Sequence, residues 1–138
     1  MNSVIVDCSV VVPCFFPELE SARAMRLLYE FKEGLIEWVA PAFLSVEFSN
    51  TAWKKNSRRL CDSDEAKKQV LQFIHLPVKY VDSLFLLPQA MELAISYKIT
   101  VYDALYLSAA CATNAVLATF DKRLETAAHA SGVKIYPV

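Results

Sequence analysis

Short apolar runs alternate along the chain with longer segments in which apolar residues recur at helical spacing. The first run, "VIVDCSVVV" at residues 4–12, shows no polar alternation. That is the pattern of a parallel strand covered on both faces. Val4–Val6 therefore reads as a strand, and similar short segments recur at Glu37–Ala40, Val78–Val81, Ala115–Thr119 and Val133–Tyr136. Helix-length segments lie between them, at about 19–33, 42–59, 63–75, 84–98, 102–113 and 122–130. In the fourth, Leu84, Leu87, Met91, Ile95 and Tyr97 place an apolar stripe on one side. Gly34 and Gly132 fall where helix ends are expected, and Asp62 with Glu65 matches a capping box. The economical architecture is α/β, a three-layer α/β/α sandwich around a central parallel sheet of about five strands.

Composition narrows the class. The 138 residues are 55% hydrophobic and 21% charged, which predicts one domain over residues 1–138 with a sizeable core, not a disordered chain. No apolar run reaches the roughly 18 residues of a membrane span. Asp7 and the lack of a basic N-terminal segment speak against a signal peptide, so a cytoplasmic protein with no membrane partner is expected. Cys8, Cys14, Cys61 and Cys111 form no CxxC pair, so neither zinc nor a thioredoxin motif is supported. Reduced core cysteines are expected instead. With two glycines, a Gly-rich phosphate loop is excluded. The net charge of −1 by itself selects neither a nucleic acid nor a membrane surface.

The chemistry then rests on four acids. Ligands of open parallel sheets bind beyond the carboxyl ends of the strands, where the strand order switches. Asp7 ends the first strand, and Asp121 follows "AVLATF". Glu47 lies in "PAFLSVEFSNTAW", and Asp103 opens the apolar stretch "YDALYLSAACA". Each acid also has a purely structural reading. Asp7 and Asp121 suit helix N-caps, Thr100 with Asp103 matches a capping box, and Glu47 shares a helical stripe with Asn50, Thr51, Lys54 and Arg58. Taken together, all four can reach one end of one sheet. Two such charges about 6 Å apart cost roughly 3 kcal/mol at an effective dielectric near 20. A quartet therefore calls for protonation or a cation. Oxygen ligands select Mg2+ or Mn2+, and His75 and His129 fall on predicted helices away from the acids. Phosphodiester cleavage is the natural chemistry of such a site.

The order "VIVDCS", "PAFLSVEFSNTAW", "TVYDALYLSAA" and "LATFDKRL" resembles a PIN domain of the VapC-type toxin ribonucleases, over almost the whole chain. The resemblance implies a Rossmann-like topology and a Mg2+- or Mn2+-dependent endoribonuclease, usually dimeric and inhibited by a small VapB-type antitoxin. It implies Asp7, Glu47, Asp103 and Asp121 as catalytic, metal-binding acids, with Ser9 and Thr119 as accessory polar positions. Some relatives carry another acid or Asn shortly after the last Asp, where Lys122 and Arg123 stand here, which bears on a second metal. Setting aside the four negative charges turns the net charge from −1 into +3 for the remainder. The densest basic cluster is "KKNSRR": Lys54, Lys55, Arg58 and Arg59. With Lys122 and Arg123 these are candidate RNA contacts, and for the "KKNSRR" cluster a solvated helix end, which the dipole favours in any case, is the reading set ahead of that one. Trp53, Tyr102 and Tyr106 read as packing or dimer residues.

Other classes leave marks that are missing here. A phosphoacceptor receiver domain pairs adjacent acids near its N-terminus, and a dehalogenase-like phosphatase needs D-x-D where this chain has "DCS". An RNA-processing nuclease, as in ribosomal RNA maturation, and a silent RNA-binding PIN-like module stay open beside the toxin.

Overall fold

The computed structural model describes residues 2–138. In chain order the elements are β1 (Asn2–Val6), α1 (Cys8–Phe15), α2 (Ser21–Lys32), β2 (Ile36–Pro41), α3 (Phe43–Ser57) and α4 (Ser63–Ile74). They continue with β3 (Lys79–Val81), α5 (Ser83–Tyr97), α6 (Val101–Thr113), β4 (Val116–Ala118) and α7 (Lys122–Ala130).

All strands are parallel, in the order β3-β2-β1-β4. Val4 is the centre of the register, paired with Trp38 of β2 and Val116 of β4. Side chains of a strand alternate between faces, and Val4, Ile5 and Val6 are all fully buried. Both faces of β1 are therefore covered, as the absence of polar alternation predicts. From β1 the chain runs to β2 on one side and later to β4 on the other. The strand order thus switches at β1, and the carboxyl ends beside this point form the natural binding edge.

Several expectations are corrected in detail. Val133–Tyr136 does not form a fifth strand. It contributes one parallel bridge, Leu117 to Ile135, flanked by two backbone bonds of 2.9 and 2.8 Å. Pro137 follows at once, and a residue without an N–H cannot extend the ladder. A helix not assigned from the sequence, α1, occupies residues 8–15 despite three consecutive valines and an internal Pro13. Burial of Val10, Val11 and Val12 outweighs their weak helix preference.

The apolar stripe of α5 is also turned outward. Leu84, Met91 and Ile95 are exposed, and Leu86, Ala90 and Ala94 face the core instead. Leu86 fills the core, and the small Ala90 and Ala94, at i+4 and i+8 from it, let α5 pack against its neighbour, α6. At Asp62 the expected capping box is half formed. Its carboxylate accepts from Glu65 N–H at 2.8 Å, while the Glu65 side chain turns to Gln69.

Other expectations hold. Gly34 and Gly132 both adopt positive φ just beyond α2 and α7. All four cysteines are free, but their expected core placement is corrected: Cys8, Cys14 and Cys61 are half-buried and Cys111 is exposed. Among the described residues, no helix is long and apolar enough to cross a membrane.

Candidate functional site

The site begins where β1 ends. Asp7 leaves the sheet in an extended conformation and caps α1, its Oδ1 accepting from Ser9 N–H at 3.1 Å. The Ser9 hydroxyl donates to the same oxygen at 2.7 Å, and the Thr119 hydroxyl donates to Oδ2 at 2.6 Å. Ser9 Oγ in turn accepts from Phe120 N–H at 2.9 Å, and Thr119 Oγ1 accepts from Asp121 N–H at 3.0 Å. These bonds join the ends of β1 and β4. Asp7 is 5% exposed. Burial pushes its carboxyl up to about 7; the Thr119 and Ser9 hydroxyls counter this, and the charge of Glu47 adds to it.

Asp121 repeats the capping device at the end of β4. Its Oδ1 accepts from Arg123 N–H at 2.9 Å and Leu124 N–H at 3.3 Å, starting α7. Asp103 occupies the first turn of α6, where Thr100 caps the helix by accepting from Asp103 N–H at 3.1 Å. Burial raises the Asp103 carboxyl, the charge of Asp121 raises it further, and Thr100 and Arg123 pull it down. Glu47 projects from α3. Burial raises its carboxyl first, Tyr106 lowers it by donating a hydrogen bond, Asp103 raises it and Lys54 lowers it.

The acids thus form an electrostatic string: Glu47 acts on Asp7, Asp103 on Glu47, and Asp121 on Asp103. All are supplied from the carboxyl edge of the sheet. They do not form a cage. Among the described residues, no three His, Cys, Asp or Glu side chains stand close enough to enclose a metal ion. The capping and site readings prove compatible, since Asp7 and Asp121 cap helices with the same carboxylates that repel their neighbours.

The basic residues separate in the fold. Lys54 acts on Glu47 and Arg123 on Asp103, which places both beside the acids. Lys55 turns inward, with its ammonium 3.8 Å from Glu18 and 5.4 Å from the centre of the Phe16 ring. Arg58 and Arg59 are exposed at the end of α3, and Lys122 is exposed beside Glu125. Cys8 lies near Glu47 and Asp7, but burial holds its thiol far above the usual range, in the protonated form. His75 bonds back to Leu71 O, and His129 faces Glu125, neither among the acids. A cleft of about 550 Å³ between α3 and α4 is lined by Ala52, Trp53, Val70 and Leu71 and contains none of the four acids.

One contributor escaped the sequence reading. Tyr106 is buried as expected of a packing residue, yet its hydroxyl donates to Glu47 Oε1. The available signal was its position three residues after Asp103, on the same face of α6.

Known proteins share this arrangement of elements. Ribonuclease VapC3 of Pyrobaculum aerophilum is 28% identical over 123 residues, covering 88% of this chain and 91% of that protein. The sarcin-ricin loop cleaving toxin VapC20 of Mycobacterium tuberculosis superposes with a TM-score of 0.73 at 17% identity, covering 97% of this chain and 99% of that one. VapBC2 of Rickettsia felis, solved bound to a promoter DNA fragment, gives a TM-score of 0.69 at 12% identity, covering 97% of both chains. At those identities the two structures establish the fold alone. The model of the PIN domain family matches residues 4–130, and the chain belongs to that family.

Proposed function

We propose that this chain, as a single PIN domain over residues 1–138, is a divalent-metal-dependent endoribonuclease acting in the cytoplasm as the toxin of a toxin–antitoxin pair. The observation that carries the reading is the buried Asp7 at the strand-order switch, its carboxyl raised to about 7 and followed by three further acids. The acids form no closed cage before a cation binds, and it is the chemistry of the donor set that fits a hard cation. It offers carboxylate oxygens, the neighbouring Cys8 thiol stays protonated, and neither histidine is at hand.

Asp7, Glu47, Asp103 and Asp121 would hold Mg2+ or Mn2+. When bound, such an ion acidifies water and stabilises negative charge on the phosphate. The chain itself does the rest. Ser9 and Thr119 fix both oxygens of Asp7, so that carboxylate is oriented before substrate arrives. Lys54 and Arg123 flank the acids and would bind RNA phosphates on either side of the scissile bond. Exposed Arg58, Arg59 and Lys122 would extend that contact, and Lys55 is withdrawn from it by Glu18 and Phe16.

The ribonuclease relative supports cleavage over silent RNA binding. The neighbour VapBC2 supports an antitoxin partner. We take the partner to be VapB-type and to cover the acids with an Arg, whose fork geometry suits carboxylates. A homodimer belongs to the same reading.

The test is direct. Purified protein with Mn2+ should cleave RNA and leave acetyl phosphate and a phosphatase substrate intact, and chelation should stop it. By ligand linkage, Mn2+ at a hundred times its Kd should stabilise the fold by about 2.7 kcal/mol. Calorimetry without binding at millimolar Mn2+, together with RNA left intact, would remove the metal-dependent reading.

A further inference from the structure

Helices α3 and α6 meet through two side-chain rungs, one helical turn apart. In the first, Phe43 stacks on Tyr102, with ring centres 5.1 Å apart and planes 10° from parallel. In the second, the Tyr106 hydroxyl donates to Glu47 Oε1 across 59 residues of sequence. Phe43 and Glu47 are i, i+4 on α3, as Tyr102 and Tyr106 are on α6, so the rungs lie on matching faces. Asp103 lies between them on α6, one residue beyond Tyr102 and three before Tyr106.

We infer that Tyr106 is a positioning residue for cation binding, fixing the Glu47 carboxylate beside Asp103. The inference rests on the metal-dependent reading above. The geometry gives it content. Tyr106 is 1% exposed, so its ring is held by packing and its hydroxyl has a fixed place. A Glu side chain free in solution samples many rotamers and loses that freedom on binding an ion. The phenol holds Oε1, and Oε2 is the oxygen that would be left for a cation. It restrains the ligand before the ion arrives, as outer partners of metal ligands generally do. The aromatic rung sets the register of the two helices, and the polar rung sets the carboxylate.

Loss of such a partner typically weakens metal affinity by about tenfold or more. Mn2+ affinity is read from the electron paramagnetic resonance signal of the free ion, titrated into the metal-free full chain. Tyr106→Phe keeps the ring and should bind Mn2+ about tenfold more weakly. Because Glu47 is retained, excess Mn2+ should restore its RNA cleavage to the parent rate. Glu47→Gln should not be restored.

The double variant Tyr106→Phe/Glu47→Gln decides the route. If Tyr106 acts through Glu47, it should bind Mn2+ no more weakly than Glu47→Gln alone. Should the Phe variant fail to fold by circular dichroism, Tyr106→Met removes the same hydroxyl with an adaptable side chain. Equal Mn2+ affinity in the parent and the hydroxyl-free variant overturns the role of Tyr106 and leaves the metal site standing. A tenfold loss that persists unchanged in the Glu47→Gln background overturns it too. A parent that binds no Mn2+ overturns the metal reading and this inference with it.

Discussion

At the ends of β1 and β4 the chain makes the same local move. An aspartate leaves the sheet and its Oδ1 accepts the N–H two residues on, Ser9 for Asp7 and Arg123 for Asp121. Tertiary surroundings then separate the two. Asp7 is enclosed, takes hydroxyl bonds from Ser9 and Thr119, and has a carboxyl raised by burial to about 7. Asp121 stays partly exposed and is held by backbone N–H groups alone, from Arg123 and Leu124. One motif therefore yields an oriented, desolvated carboxylate at the strand switch and a wetter one beside it. What a capping aspartate can do chemically depends on what encloses it.

The largest expected effect that sharpens this contrast is on pH dependence. In the metal-free protein the folded state holds a proton on Asp7 more tightly than the unfolded chain does. The stability this contributes is fully present below 3.8 and is lost as pH rises through about 7. The shift corresponds to a few kcal/mol, on the order of 4. Denaturant midpoints across that window should fall with pH in the parent and much less in Asp7→Asn. Equal slopes in the parent and in Asp7→Asn would mean that burial does not set the Asp7 carboxyl apart.

Activity is the next measure. Asp7→Asn keeps the cap, since Asn caps nearly as well as Asp, and should lower RNA cleavage at least about tenfold, or 1.4 kcal/mol of barrier. Its melting temperature should hold or rise, because a buried charge and its repulsion from Glu47 are gone. Asp121→Asn should lose less activity than Asp7→Asn. Identical losses would show that both carboxylates serve as equals despite their surroundings.

The residue two beyond each aspartate gives a smaller effect. Ser9→Ala removes a donor to Asp7 and an acceptor for Phe120 N–H, and should destabilise by about 1 kcal/mol or somewhat more. Arg123→Ala, at the matching place after Asp121, removes an exposed side chain and should stay within about 0.5 kcal/mol. Chemical denaturation reads both, and a reversed order would undo the assignment of Ser9 as the link between strand ends.

The smallest effect belongs to Asp62, an exposed cap remote from the site. Asp62→Asn should cleave RNA at the parent rate and melt within the range of an ordinary surface change, about 0.5 kcal/mol. If Asp7→Asn cleaves as fast as Asp62→Asn at saturating Mn2+, capping is all that Asp7 does.

Much of this molecule is local enough to be written in the sequence. Apolar runs without alternation marked β1 and β2, and helical spacing marked α2 to α7 to within about two residues. Asp7, Asp62, Thr100 and Asp121 announced helix starts, because a cap bonds to N–H groups two or three positions away. The PIN resemblance likewise rests on acids in a fixed order along the chain.

Tertiary structure decided the rest, because the deciding contacts join residues far apart. Thr119 reaches Asp7 across 112 positions and Tyr106 reaches Glu47 across 59, and no periodicity encodes either bond. Burial chose Leu86, Ala90 and Ala94 as the core face of α5 and left Leu84, Met91 and Ile95 outside, because packing against α6 decides which face of an apolar helix turns inward. Pro137 and a single bridge reduced the last strand to one contact with β4. Desolvation set Asp7 apart from Asp121, because the cost of burying a charge depends on all the atoms that exclude water from it, and only the folded chain brings them together.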